Sequence, residues 1–195
     1  MAQTFGQGGM PGMDEQLQFV MLIISRLDSI KVPYMLTGSM AMAFYSSPRM
    51  TRDVDLVVEL NRLAVDRLVE LFAGDCYIET ESVRQAVETH SMFNVIHREW
   101  ALKADFVVRK ASEYRAVEFA RRQLLEFEGN EVWVVAVEDL ILSKLVWSKT
   151  SHSALQSRDV RQLLSSEIAL DREYLRKWAQ ALKVERLLEE AMRDV

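Results

Sequence analysis

The segment DVDLVVEL, residues 53–60, restricts the fold more than any other feature of the chain. Its apolar content and β-branched valines give it strand character. Side chains alternate faces along a strand, so Asp53 and Asp55 point the same way, roughly 7 Å apart along the backbone. At an effective dielectric of ~20 two such charges repel by about 2 kcal/mol. Leu56, Val57, Val58 and Leu60 make the remainder nearly continuously apolar, the pattern of a strand buried on both faces. Acids at the opening of such a strand are costly unless they sit at the end of a sheet and bind something, and a divalent cation between them converts repulsion into binding. The plain alternative is a solvated strand face.

A second signal lies upstream. Four of the 7 glycines (Gly6, Gly8, Gly9 and Gly12) fall near the N-terminus, leaving Gly38, Gly74 and Gly129 for the body of the chain. Gly38-Ser39, directly after the short strand pattern Tyr34-Met35-Leu36-Thr37, reads as a tight strand-to-helix turn or a close approach to phosphate. A third signal is Lys103-Ala104-Asp105, inside the strand pattern ALKADFVV. Lys103 and Asp105 share a face, so a cross-strand ion pair is one reading. If this strand lies beside 53–60, Asp105 becomes a third carboxylate in a hard-oxygen set suited to Mg²⁺.

Periodicity supplies the surroundings. A helix is expected from Asp14 through Leu27, a compact apolar helix from Ser39 to Tyr45 closed by Pro48, and a helix capped by Asn61 running through Phe72. A short strand at 76–80 and a polar helix at 82–89 follow, then strands at 92–98 and 101–108, then a helix over ASEYRAVEFARR. Residues 124–127 and 131–135 read as a hairpin around Glu128-Gly129-Asn130. From Val137 onward the pattern is helical with no glycine or proline. The expected architecture is α+β: residues 1–13 a disordered tail, 14–136 an α/β core with a small mixed sheet flanked by helices, and 137–195 a C-terminal helical region packed on that core.

Lys144 sits among Val137, Leu140 and Trp147 on a helical wheel. It either snorkels outward or presents charge to a triphosphate at the core's edge. Asp159 follows Ser157, a candidate N-cap, and reads most simply as a first-turn acid. His90, His97 and His152 lack metal-ligand spacing and read as structural, and the four tryptophans as core or helix-packing residues.

A single cysteine, Cys76, excludes an internal disulfide framework and a Cys-based zinc site. No apolar run reaches membrane-spanning length and the N-terminus lacks a secretory pattern, so the expectation is a cytoplasmic protein with no membrane partner. A net charge of −5 argues mildly against a large nucleic-acid footprint. The charge is uneven, however: acids from Asp66 to Glu88 precede a basic stretch containing Lys103, Arg109, Lys110, Arg115, Arg121 and Arg122.

Together Leu36-Thr37-Gly38-Ser39, Thr51-Arg52-Asp53-Val54-Asp55-Leu56 and Asp105 resemble the DNA-polymerase-β-like nucleotidyltransferase superfamily. Lys103-Ala104-Asp105, the acids Glu138-Asp139 followed by Lys144, and Asp159 add a likeness to its AbiEii-like branch, which includes toxins of toxin–antitoxin pairs. The likeness covers about residues 20–165. It implies that Asp53, Asp55 and Asp105 hold Mg²⁺, that Gly38 and Ser39 cradle nucleotide phosphates, that Lys103 and Lys144 contact phosphate, and that Asp159 helps assemble the site or orient the acceptor. The activity so implied is Mg²⁺-dependent transfer of a nucleoside monophosphate from an NTP to an acceptor hydroxyl on tRNA, a small molecule or a protein, with an antitoxin as partner. An antibiotic-modifying adenylyltransferase and a non-catalytic nucleotide-binding module of the same fold are the rival readings.

Overall fold

The computed structural model describes residues 13–47, 51, 53–151 and 153–193. The tail expected at 1–13 lies outside the described residues, save Met13. So do Pro48, Arg52 and His152.

The chain order is α1 (Met13–Ser29), β1 (Tyr34–Thr37), α2 (Gly38–Met42), β2 (Asp53–Val58), α3 (Val65–Ala73), β3 (Cys76–Tyr77), α4 (Thr80–Thr89), β4 (Met92–His97) and β5 (Lys103–Val108). It continues with α5 (Glu113–Ala120), β6 (Gln123–Phe127), β7 (Asn130–Val134), α6 (Val137–Ser151), α7 (Ala154–Leu164), α8 (Arg172–Ala181) and α9 (Glu185–Arg193). The strands form one mixed sheet of seven, in the order β3-β4-β5-β2-β1-β7-β6. Of these neighbours β2 and β5 run parallel, as do β1 and β7, and the other pairs are antiparallel.

The two faces of the sheet differ. Val54, Leu56 and Val58 of β2, Ala104, Phe106 and Val108 of β5, and Phe93, Val95 and His97 of β4 are buried under α1, α3 and α4. Phe106 stacks on Phe93 at 5.0 Å between ring centroids and meets Phe72 of α3 edge-on at 6.0 Å. Phe19 of α1 packs edge-on against His97. A paired contact fixes α1 further: Arg26 donates to both oxygens of Asp75 at 2.8 and 2.6 Å. On the opposite face Met92, Asn94 and Ile96 of β4 are exposed. Val57 is only half-buried there, so β2 is not buried on both sides as its composition suggested.

Local chemistry sets several boundaries. The Asn61 side chain accepts from the amides of Leu63 and Ala64, but it caps a 3₁₀ turn at 62–64, and α3 starts only at Val65. The uniformly helical pattern after Val137 is divided into four helices. Asp171 caps α8 by accepting from the Tyr174 amide, and Lys183 turns the chain between α8 and α9 at a left-handed φ of 59°. These helices share one core with the sheet, a continuous cluster that reaches from Phe19 to Ala191.

Phe106→Ala removes the ring on which Phe72 and Phe93 converge. It should lower the unfolding free energy in urea by about 3–5 kcal/mol, with an unchanged denaturant slope.

Candidate active site

In-register pairing assembles the site. Thr37 of β1 is the Cα partner of Asp55, and Asp55 is the partner of Asp105 on β5. Asp53 pairs in the same way with Lys103. Partners on adjacent strands face the same side, so Asp53, Asp55, Lys103 and Asp105 occupy the face opposite α3 and α4.

Gly38 closes this row against β1. Its φ is 64°, in the left-handed region, and a Cβ there would overlap the Asp55 carboxylate. Glycine is thus required twice, for conformation and for space. The turn also lets the Ser39 amide donate to Asp55. Burial raises the Asp55 pKa above its ordinary 3.8, and the Asp105 and Asp53 charges push it further up, against the Ser39 amide and the Lys144 ammonium.

Lys103 neutralises part of the cluster. Its Nζ donates to Asp105 Oδ2 at 3.0 Å and lies 3.8 Å from Asp53 Oδ1. The hydrogen bond to Asp105 raises the lysine's own pKa. The other oxygen of Asp105 accepts from the amide of Asn94, the Cα partner of Asp105 on β4. Asn94 carries no periodic or charge signal in the sequence, and only the strand order reveals its place.

The more distant candidates divide. Lys144 is 4% exposed and its Nζ bonds Asp159 Oδ2 at 2.7 Å, with Gln156 Oε1 at 3.3 Å. The lysine therefore does not snorkel outward. Its charge acts on Asp55, so α6 sets this buried pair beside the acid row. Helix α7 begins at Ala154, so Asp159 lies inside the helix rather than in its first turn, and Ser157 Oγ contacts Ser148 Oγ at 3.2 Å instead of capping. Glu138 and Asp139 enter another cluster. Arg121 reaches both at 3.0 Å, the Tyr174 hydroxyl donates to Asp139 Oδ1 at 2.6 Å, and the Asp171 amide donates to Glu138 Oε1 at 3.0 Å. These bonds dock α8 on α6. Of the histidines, His97 is buried and stacked on Trp100, while His90 bonds the Arg109 carbonyl oxygen. Trp178 is buried as expected of a packing residue, whereas Trp147 is 59% exposed.

The donor set of the acid row is all oxygen, which fits a hard divalent ion. Among the described residues, no three His, Cys, Asp or Glu side chains form a group that could hold a metal ion as they stand. Lys103 supplies positive charge between Asp53 and Asp105 in this arrangement.

The mixed sheet, with a Gly-Ser turn facing paired acids on the next strand, goes with a match to a nucleotidyltransferase family and with solved nucleotidyltransferase structures of the polymerase-β-like fold. Residues 26–192 match the family model described as "Nucleotidyl transferase AbiEii toxin, Type IV TA system", and the chain belongs to that family. No curated protein matches the chain. Among solved structures it is similar to the antibiotic-resistance factor ANT(2'')-Ia, at 16% identity with a TM-score of 0.54 over 91% of both chains. A nucleotidyltransferase-like protein from Paracoccidioides brasiliensis gives 16% identity and a TM-score of 0.51, over 92% of this chain and 93% of that one. The lincosamide antibiotic adenylyltransferase LnuA gives 11% identity and a TM-score of 0.50, over 77% of this chain and 96% of that one. At these identities the likenesses show the fold. The expected α+β nucleotidyltransferase architecture is therefore borne out, and the family makes the protein a transferase. Among the described residues no helix is long and apolar enough to cross a membrane.

Two outcomes follow from Gly38 and Asp55. Gly38→Ala should cost about 1–3 kcal/mol in denaturant unfolding, because strain adds to the displacement of Asp55. The raised Asp55 pKa means that this carboxyl supports folding fully only below pH 3.8, and that the support is lost as pH rises through the folded value. Asp55→Asn should therefore raise the urea midpoint at pH 7, with the gain over wild type shrinking as pH falls towards 3.8.

Proposed function

We propose that the protein transfers a nucleoside monophosphate from an NTP to an acceptor hydroxyl, in a Mg²⁺-dependent reaction. The observation that carries this reading is the adjacency of Asp55 and Asp105 on parallel strands, with Asp53 on the same face and Gly38-Ser39 at its edge. Asp53, Asp55 and Asp105 would hold the ion. Once bound, such an ion lowers the pKa of the attacking hydroxyl and offsets charge at the phosphorus.

The chain's own groups have separate tasks. The Ser39 amide and hydroxyl receive the β- and γ-phosphates at the Gly38 turn, where the missing Cβ lets phosphate approach. Lys103 turns from the carboxylates to phosphate. Lys144 adds fixed positive charge beside Asp55, and Asp159 holds Lys144 in place. The acceptor oxygen bonds to the α-phosphorus, the bond from that phosphorus to pyrophosphate breaks, and the hydroxyl proton passes to a carboxylate of the row.

Family membership favours a toxin working with an antitoxin partner in the cytoplasm, with tRNA, a protein or a small molecule as acceptor. The second reading, an antibiotic adenylyltransferase, draws on the fold shared with ANT(2'')-Ia and LnuA. That reading would have used the acidic stretch from Asp66 to Glu88 to bind a cationic drug. This stretch lies mostly on α3 and α4, behind the sheet from the acid row, which disfavours it.

The test is incubation with Mg²⁺, each α-labelled NTP in turn and a cell extract. Wild type should label one species. Asp53→Ala and Asp55→Ala should reduce labelling to background with an equal or higher Tm. Variants that unfold, or that label like wild type, would make the acids structural. Growth arrest on expression of wild type but not of Asp53→Ala would support the toxin role, and drug resistance without arrest would support the second reading.

A further inference from the structure

One row of Cα partners crosses four strands: Thr37, Asp55, Asp105 and Asn94. Asp55 and Asp105 belong to the reading above, and Asn94 is the next member on the same face. Its Nδ2 donates to Asp105 Oδ1, while Lys103 donates to Oδ2 at 3.0 Å. Both oxygens of Asp105 are therefore tied, each by a group of different kind. The lysine offers charge on a flexible stem and can leave for phosphate. The asparagine offers a neutral amide on a short side chain, fixed by the β4–β5 pairing itself.

That difference gives Asn94 a distinct task. A cation at position 94 would neutralise Asp105 and compete with a metal ion. An acid would add a further negative charge to a row that already raises the pKa of Asp55. A neutral donor fixes the plane of the Asp105 carboxylate and leaves its charge intact. Groups that orient a metal-binding carboxylate in this way are worth about 10–100-fold in affinity or activity.

We infer that Asn94 is a positioning residue: it holds Asp105 Oδ1 and so turns Oδ2, the oxygen beside Lys103, towards the cation and the NTP. This rests on the nucleotidyltransferase reading of the acid row. Asn94 stands on the open face of β4, away from the core formed by Phe93 and Val95, so its replacement need not disturb folding.

Asn94→Leu keeps the size and removes the donor, whereas Asn94→Gln keeps an amide. The measurements are Mn²⁺ binding to NTP-free protein by electron paramagnetic resonance, and label transfer with kcat and NTP KM determined separately. For Asn94→Leu the Kd for Mn²⁺ should rise about 10-fold and kcat should fall about 10–100-fold. NTP KM should stay within about twofold, since the phosphates are held at the Gly38-Ser39 turn. Asn94→Gln should recover part of both losses. A Kd for Mn²⁺ in Asn94→Leu within about twofold of wild type, or no Mn²⁺ binding by wild type, overturns the inference whatever the transfer assay gives. If wild type binds Mn²⁺ and the leucine variant binds it more weakly, yet neither transfers label, Asn94 keeps its role and the proposed reaction falls.

Discussion

Parallel, in-register pairing of β2 with β5 is the constraint on which the site depends. It places Asp55 beside Asp105, two like charges on neighbouring strands. Such an arrangement opposes folding, and burial of Asp55 makes the opposition larger. The surrounding structure answers it locally. Lys103 bridges Asp53 and Asp105, the Ser39 amide donates to Asp55, and Lys144 contributes charge from α6. Lys103 and the Ser39 amide are also groups that a polyphosphate could use, whereas Lys144 is held by Asp159. A cluster held by groups that can change partner is suited to binding, whereas a structural ion pair needs only one partner of opposite sign.

The two faces of the sheet divide the work. Aromatic packing of Phe72, Phe93 and Phe106 fixes strand order and register from behind. The opposite face is left partly open over β4 and β5, next to the acids. Stability and chemistry are thus separated by the two-residue period of the strands. A one-residue slip of β5 would bury Asp105 and expose Ala104 and Phe106. The hydrophobic core is therefore what keeps the third acid in line. The cluster of Arg121 and Tyr174 around the buried acids Glu138 and Asp139 serves the same end further off, by docking α8 on the helix that carries Lys144.

Local features were legible in the sequence because they depend on short-range rules. Strand parity put Asp53 and Asp55 on one face, and the scarcity of glycine marked Gly38, which the structure shows to be required for both conformation and space. Non-local features were not. The Lys144–Asp159 pair joins two helices whose contact no periodicity reveals, so Asp159 read as a first-turn acid. Glu138 and Asp139 look alike in sequence whether they face an active site or a structural arginine. Asn94 matters only because β4 lies beside β5, a consequence of topology. The break between α8 and α9 carried no glycine signal in the sequence, because Lys183 takes a turn conformation usually left to glycine.

The most direct measurement is a crystal structure with Mn²⁺ and a non-hydrolysable NTP, using anomalous scattering to locate the ion. The account predicts a peak about 2.1 Å from carboxylate oxygens of Asp53 and Asp55, with Asp105 adjoining and the terminal phosphates on the Ser39 amide. Ordered triphosphate elsewhere on the chain, or an ion that these aspartates do not touch, would contradict it.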